Sequence, residues 1–135
     1  MRILVDTSAY SAFLRGHPTV KDIIQLADSL YLNPIVLGEL HAGFQRGGKK
    51  KRNEELLARF LESPRVSSVP IDDGTATRYA VILNDLWKAG TPIAANDLWI
   101  AATAMQHGLS VLTTDGDFLK VKQVLVHHID LESAS

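Results

Sequence analysis

The chain has 135 residues, 46% of them apolar and 21% charged, with 14 Lys and Arg against 15 Asp and Glu. Scaling with mass hides about two-thirds of the surface of such a chain on folding, enough for one core, so a single globular domain is expected rather than extended disorder. The lack of cysteine excludes disulfides, cysteine nucleophiles, thiolate zinc sites and cysteine-held iron–sulfur clusters.

A short apolar run, Ile3-Leu4-Val5, opens the chain and reads as a strand buried on both faces. It starts directly after Met1-Arg2, leaving no room for a signal peptide, and no apolar stretch approaches the roughly 20 residues that span a bilayer. The expectation is a cytoplasmic protein with no membrane segment, one domain over 1–132 and a short tail at 133–135. Further strand-like runs follow at Leu30-Tyr31-Leu32, Val66 to Val69, Val111-Leu112 and Val124-Leu125-Val126. Between them apolar residues recur at helical spacing. Asn33-Pro34 reads as a helix start, N-cap followed by proline at the first position, and Asn53-Glu54-Glu55 reads as another. Gly47-Gly48 and the run Lys49-Lys50-Lys51-Arg52 read as a surface loop. Leu56, Leu57, Phe60 and Leu61 form one stripe; Ala76, Tyr79, Ala80, Leu83, Leu86 and Trp87 form another. The segment from Asp97 to His107 is apolar on nearly every side, as in a central helix ending at Gly108. His127 and His128 fall on an edge strand and face opposite ways. Strands separated by helices predict an α/β fold, a three-layer α/β/α domain around a mostly parallel, twisted sheet of about five strands.

In open parallel sheets, ligands bind beyond the carboxyl ends of the strands. Asp6 follows the first strand and Asp115 follows Val111-Leu112-Thr113-Thr114. Glu39 stands among apolar residues in Ile35-Val36-Leu37-Gly38-Glu39-Leu40, and Asp97 opens the apolar helix. Each has a plainer explanation: a turn after a strand for Asp6, a helix cap for Asp97, the Asp115-Gly116 turn for Asp115. Glu39 is hardest to explain that way. Carboxylates gathered with few bases nearby repel one another and lose hydration, and a hard divalent cation relieves both costs. Without cysteine or paired histidines, zinc is disfavoured.

These pieces, in this order, resemble a PIN-domain ribonuclease of the VapC toxin type. The resemblance runs from Ile3 to about Asp130. It rests on Ile3-Leu4-Val5-Asp6-Thr7-Ser8, on Leu37-Gly38-Glu39-Leu40 with Gly43, on Lys50 to Leu57, on Asn96-Asp97-Leu98-Trp99-Ile100-Ala101-Ala102, and on Leu112-Thr113-Thr114-Asp115-Gly116-Asp117-Phe118. It implies a PIN-like fold, a metal-dependent endoribonuclease cleaving RNA phosphodiester bonds, a VapB-type antitoxin partner and a homodimer. The family's acidic quartet falls on Asp6, Glu39, Asp97 and Asp115, with Asp117 secondary.

In such a site carboxylates hold one or two Mg²⁺ or Mn²⁺ ions that activate water and neutralise phosphate charge. Asp6 is expected at the centre, with Asp97 and Asp115 completing the shell. Glu39 either ligates or orients water, and Thr7 and Thr113 are candidates to fix a carboxylate or water. Setting aside the five acids leaves 10 acids against 14 bases, a formal +4 that suits a polyanion. Arg46, Lys49, Lys50, Lys51 and Arg52 are the candidates for RNA backbone contact; the plainer reading is a solvated loop. Trp87 and Trp99 are expected in the core or a dimer contact. Other readings stay open: a phosphotransfer enzyme, although Ser8 stands where a dehalogenase-like phosphatase needs a second Asp; a non-catalytic PIN-fold binding module; and a PIN nuclease of RNA processing without an antitoxin.

Overall fold

The computed structural model describes residues 1–131, so the expected tail at 133–135 and the last residue of the expected domain lie outside the described residues. Strand β1 (Arg2–Val5) leads to helices α1 (Thr7–Leu14) and α2 (Pro18–Leu26), then to β2 (Ser29–Leu32). Helices α3 (Pro34–Arg46) and α4 (Lys50–Glu62) precede β3 (Val66–Ser68). Helices α5 (Asp73–Ala89) and α6 (Ala95–His107) return the chain to β4 (Ser110–Thr113), and a 3₁₀ turn at Gly116–Lys120 precedes β5 (Val126–His128).

The five strands lie in the order β3-β2-β1-β4-β5, and all four pairings are parallel. Every strand therefore ends on the same edge of the sheet. From β1 the chain steps outward to β2 and β3, then crosses back to β4 on the other flank of β1. Right-handed crossovers put α1–α4 and α5–α6 on opposite faces. The reversal makes the crevice between β1 and β4 the natural place for a ligand. The central strands are apolar throughout because both of their faces are covered: Ile3, Leu4, Val5, Val111 and Leu112 are all completely buried. The expected α/β/α architecture is the one found.

Local chemistry explains the helix limits. Asn33 accepts from Val36 N–H and Pro34 takes the first helical position. Gly90 and Gly108 end α5 and α6 with φ of 71° and 65°, a conformation that disfavours a Cβ. Helix α6 buries Leu98 and Ile100 to Ala104, as its apolar sequence predicts.

Three expectations need correction. The basic run is not a loop: Lys50, Lys51 and Arg52 form the first turn of α4, which begins three residues ahead of Asn53. Cations there oppose the helix dipole, and the Lys50–Glu54 ion pair at 2.9 Å offsets part of that cost. The last strand begins at Val126 rather than Val124. The stripe on α5 is rotated: Thr75, Ile82 and Leu86 are buried, whereas Ala76, Ala80, Leu83 and Trp87 face outward, Trp87 being 77% exposed. Both faces of α5 are apolar, so periodicity alone did not choose between them. The choice follows packing on α6, where Tyr79 stacks against Trp99 at 4.2 Å.

Candidate active site

Asp6 ends β1 and caps α1 at once: its Oδ1 accepts from Ala9 N–H at 2.7 Å. The plain explanation, a cap, is thus true, but it uses only part of the carboxylate. The Ser8 hydroxyl donates to Oδ1 at 2.8 Å, and the Thr113 hydroxyl donates to Oδ2 at 2.5 Å. Each hydroxyl also accepts from the turn after β4: Thr113 from Asp115 N–H at 2.9 Å, Ser8 from Thr114 N–H at 3.0 Å. Two hydroxyls therefore stitch the ends of β1 and β4 together around Asp6, which is only 3% exposed. Burial raises its pKa, and the negative charge of Asp115 adds to this; the hydrogen bonds from Thr113, Ala9 and Ser8 act in the opposite direction.

Glu39 reaches the site from the middle of α3. Its Oε1 accepts from the Thr7 hydroxyl at 2.6 Å and its Oε2 from the Asn96 amide at 3.4 Å. A half-buried acid on an apolar helix is thereby held by the start of α1 on one side and of α6 on the other.

Asp97 stands in the first turn of α6, where the helix dipole favours a negative charge. Asp115 caps the 3₁₀ turn, accepting from Asp117 N–H at 2.9 Å. One carboxylate oxygen from each of Asp97, Asp115 and Asp117 lies within 4.8 Å of the others. The Asp97 carboxyl is pushed up to about 6, by burial first and then by the charges of Asp115, Asp6, Glu39 and Asp117. Lys120 reaches Asp117 at 3.1 Å; sequence distance from Asp97 and Glu39 gave no hint of this cation, which the 3₁₀ turn brings back toward the acids.

A cleft of about 540 Å³ has Asp6, Glu39, Asp97 and Asp115 in its wall, with Thr7, Ser8 and Asn96 between them. All four acids of the expected quartet meet there, and Asp117 joins Asp97 and Asp115. Thr7 serves Glu39 and Thr113 serves Asp6. Ser8 and Asn96 join the site from outside the set of residues expected there. Asp6-Thr7-Ser8 carried a usable signal, since a hydroxyl two residues after an Asp commonly bonds back to it; Asn96 carried none, because its partner is 57 residues away. Among the basic candidates, Arg46 and Lys49 line a groove that shares Thr7 and Glu39 with the acidic cleft. Lys49 also lines a second depression, together with Lys50, Lys51, Arg52 and Glu55. His128 packs on Gly116, 3.8 Å from where a Cβ would stand, beside Asp115 and Asp117.

The family model for the PIN domain matches residues 3–124. The chain belongs to the PIN-domain family. It is 34% identical over 125 residues to Ribonuclease VapC1 of Rickettsia felis, covering 90% of this chain and 92% of that protein. It is 38% identical over 122 residues to Toxin FitB of Neisseria gonorrhoeae, covering 84% and 87%. Among solved structures it matches VapBC-5 of Mycobacterium tuberculosis, a member of the VapBC family of toxin–antitoxin systems. That match has a TM-score of 0.72 at 25% identity, over 95% of this chain and 98% of the other. The PIN domain places the acidic cleft of this chain in a family of nucleases. The donor set fits a hard divalent cation, since Asp97, Asp115 and Asp117 present only carboxylate oxygens at mutual distances one ion can bridge. No helix among the described residues is long and apolar enough to cross a membrane.

Proposed function

We propose that this PIN domain, over residues 1–132, is a divalent-metal-dependent endoribonuclease and the toxin of a VapBC-type pair, acting in the cytoplasm. One observation carries the reading: four acids from four separate parts of the chain line one cleft, three carboxylates including two of those four lie close enough to share an ion, and Asp6 is immobilised beneath them. The relatives' names, ribonuclease and toxin, agree with that chemistry.

Asp97, Asp115 and Asp117 would hold Mg²⁺ or Mn²⁺ from the open side and Asp6 from below, and the bound ion would activate water and neutralise charge on the phosphate. The protein's own contribution is positional. Thr113 and Ser8 fix both oxygens of Asp6 and hold its carboxylate toward the cleft. Thr7 and Asn96 fix Glu39, whose carboxylate accepts a proton from water entering the cleft. A VapB-type antitoxin would inhibit by covering this cleft. A second copy of the chain would dock on the outward face of α5, where Ala76, Ala80, Leu83 and Trp87 follow one another at helical spacing; Trp87→Glu should convert the dimer to a monomer by sedimentation.

The reading is tested by incubating partner-free protein with a small-RNA pool, with Mg²⁺ or Mn²⁺ and with chelator. Discrete fragments that require metal and vanish with Asp6→Asn are expected. Intact RNA from folded protein would refute the reading.

A further inference from the structure

Beside the acidic cleft lies a groove of about 520 Å³ between α1, α3 and the start of α4. Thr7 and Glu39 belong to the walls of both, so one opens into the other. Its floor is apolar, from Leu14, Leu40 and Phe44, and its rim carries Arg15, Arg46 and Lys49. All three cations are exposed. The salt bridges among the described residues engage Lys50, Lys120, Lys122 and the N-terminus, and none of these three. Against these three cations the groove wall carries one carboxylate, Glu39, which Thr7 and Asn96 engage, so the rim keeps an excess of positive charge that suits a polyanion laid along it.

Each comes from a different element: Arg15 from the end of α1, Arg46 from the last turn of α3, Lys49 from the residue before α4. The helix dipole favours a cation at the first two of these places, but it does not account for Lys49 or for the meeting of all three on one groove. Two are arginines, whose planar fork grips phosphate oxygens in pairs. The groove leads straight to the carboxylates, where a cation and a scissile phosphate would meet.

We infer that Arg15, Arg46 and Lys49 form a backbone-binding subsite that holds the phosphates of a single RNA strand flanking the one cut in the acidic cleft. The inference rests on the ribonuclease reading and refines it. Arg15 is new to the site, and the neighbouring run divides: Lys49 lines both this groove and the adjoining depression, whereas Lys50, Lys51 and Arg52 line the depression alone, where Lys50 is engaged by Glu54. An acidic peptide is the other occupant such a rim would suit; RNA is favoured because the groove opens into the acidic cleft where, on the ribonuclease reading, a phosphodiester is cut.

The test is fluorescence anisotropy of a labelled mixed-sequence single-stranded RNA, in Mg²⁺, on an Asp6→Asn background that does not cut. Salt is varied, and a labelled oligoglutamate peptide is the second probe. The triple variant Arg15→Gln, Arg46→Gln, Lys49→Gln should bind RNA about tenfold or more weakly. Its log–log salt slope should be shallower by about 2, from ~0.7 per phosphate contact on a single strand. Arg15→Gln alone should remove about one contact's worth of slope, and Arg15→Lys should restore it because the charge returns. The Lys50→Gln, Lys51→Gln, Arg52→Gln variant should change the slope by less than one contact's worth. Far-UV circular dichroism of each variant separates lost binding from lost fold, and Arg15→Lys is the arm least able to disturb it. Unchanged RNA affinity and slope in the groove variant, while the wild type still cuts RNA, would overturn the subsite and spare the ribonuclease reading. Loss of oligoglutamate binding with RNA binding intact would assign the groove to a peptide and overturn it too. Wild-type protein that never cuts RNA would defeat the underlying reading itself.

Discussion

The two sides of the acidic cleft are built on opposite principles. On the inner side, Asp6 is nearly sealed from solvent, and three donors from the protein satisfy its oxygens: Ala9 N–H and the hydroxyls of Ser8 and Thr113. On the outer side, Asp97, Asp115 and Asp117 are half-buried and crowded together, with one Lys120 contact between them and their mutual repulsion. The inner acid is fixed in place by the fold, although burial still raises its pKa; the outer three are a charge the fold leaves unbalanced. A buried charge persists when it is fully hydrogen-bonded, whereas a clustered, unbalanced charge is a demand for a ligand. That contrast separates what positions the chemistry from what recruits the ion.

The largest expected effect breaks the inner side outright. Asp6→Asn should lower kcat by about 10²–10³-fold, the scale of removing one preorganised electrostatic partner, whereas Asp117→Asn should cost less and be partly rescued by raised Mn²⁺. Steady-state cleavage of a defined RNA checks both. Next, Thr113→Val should lower kcat by about 10–100-fold, as loss of a positioning contact does. The same change should cost about 1–3 kcal/mol of stability in urea, because it leaves buried Asp6 one donor short. The outer side predicts the opposite response: Mg²⁺ at a hundred times its dissociation constant should stabilise the wild type by about 2.7 kcal/mol, seen as a rise of several degrees in Tm.

The last expected effect is a pH dependence with a definite sign. The Asp97 carboxyl titrates at about 6 in the folded chain, against an ordinary value of 3.8. Between those values the folded state binds a proton that the unfolded state has released, so this group's contribution falls as pH rises from about 4 to about 6. The metal-free wild type should therefore lose stability across that window relative to Asp97→Asn, measured as the difference between their melting curves. Mg²⁺ should diminish the difference.

Much of the inner side was legible in the sequence. A continuous apolar run followed by Asp, as in Ile3-Leu4-Val5-Asp6, states both a buried strand and a charge at its carboxyl end. The same grammar places Asp115 after β4, and Glu39 stood out against its apolar neighbours. The sheet order was not readable there, because it depends on which flank of β1 receives β4, and no residue in either strand records that. Nor was the division of labour between Thr7 and Thr113: threonine near a strand end is ordinary, and only the closure of β1 on β4 and of α3 on α1 decides which carboxylate each hydroxyl serves. On α5 two apolar faces competed and packing on α6 chose one. The basic run misled because glycines and lysines suggest a loop, whereas Lys50–Glu54 pairing and the apolar stripe through Leu57 extend the helix backward over it.

The central claim is that the outer carboxylates recruit a cation above a pre-set Asp6. Its most direct test is Mn²⁺ binding to the partner-free protein, followed by electron paramagnetic resonance, with wild type, Asp115→Asn and Thr113→Val compared. Saturable binding that Asp115→Asn abolishes, and that Thr113→Val retains while cleavage drops, is the predicted result. Binding that is unsaturable, or unchanged in Asp115→Asn, would contradict the account.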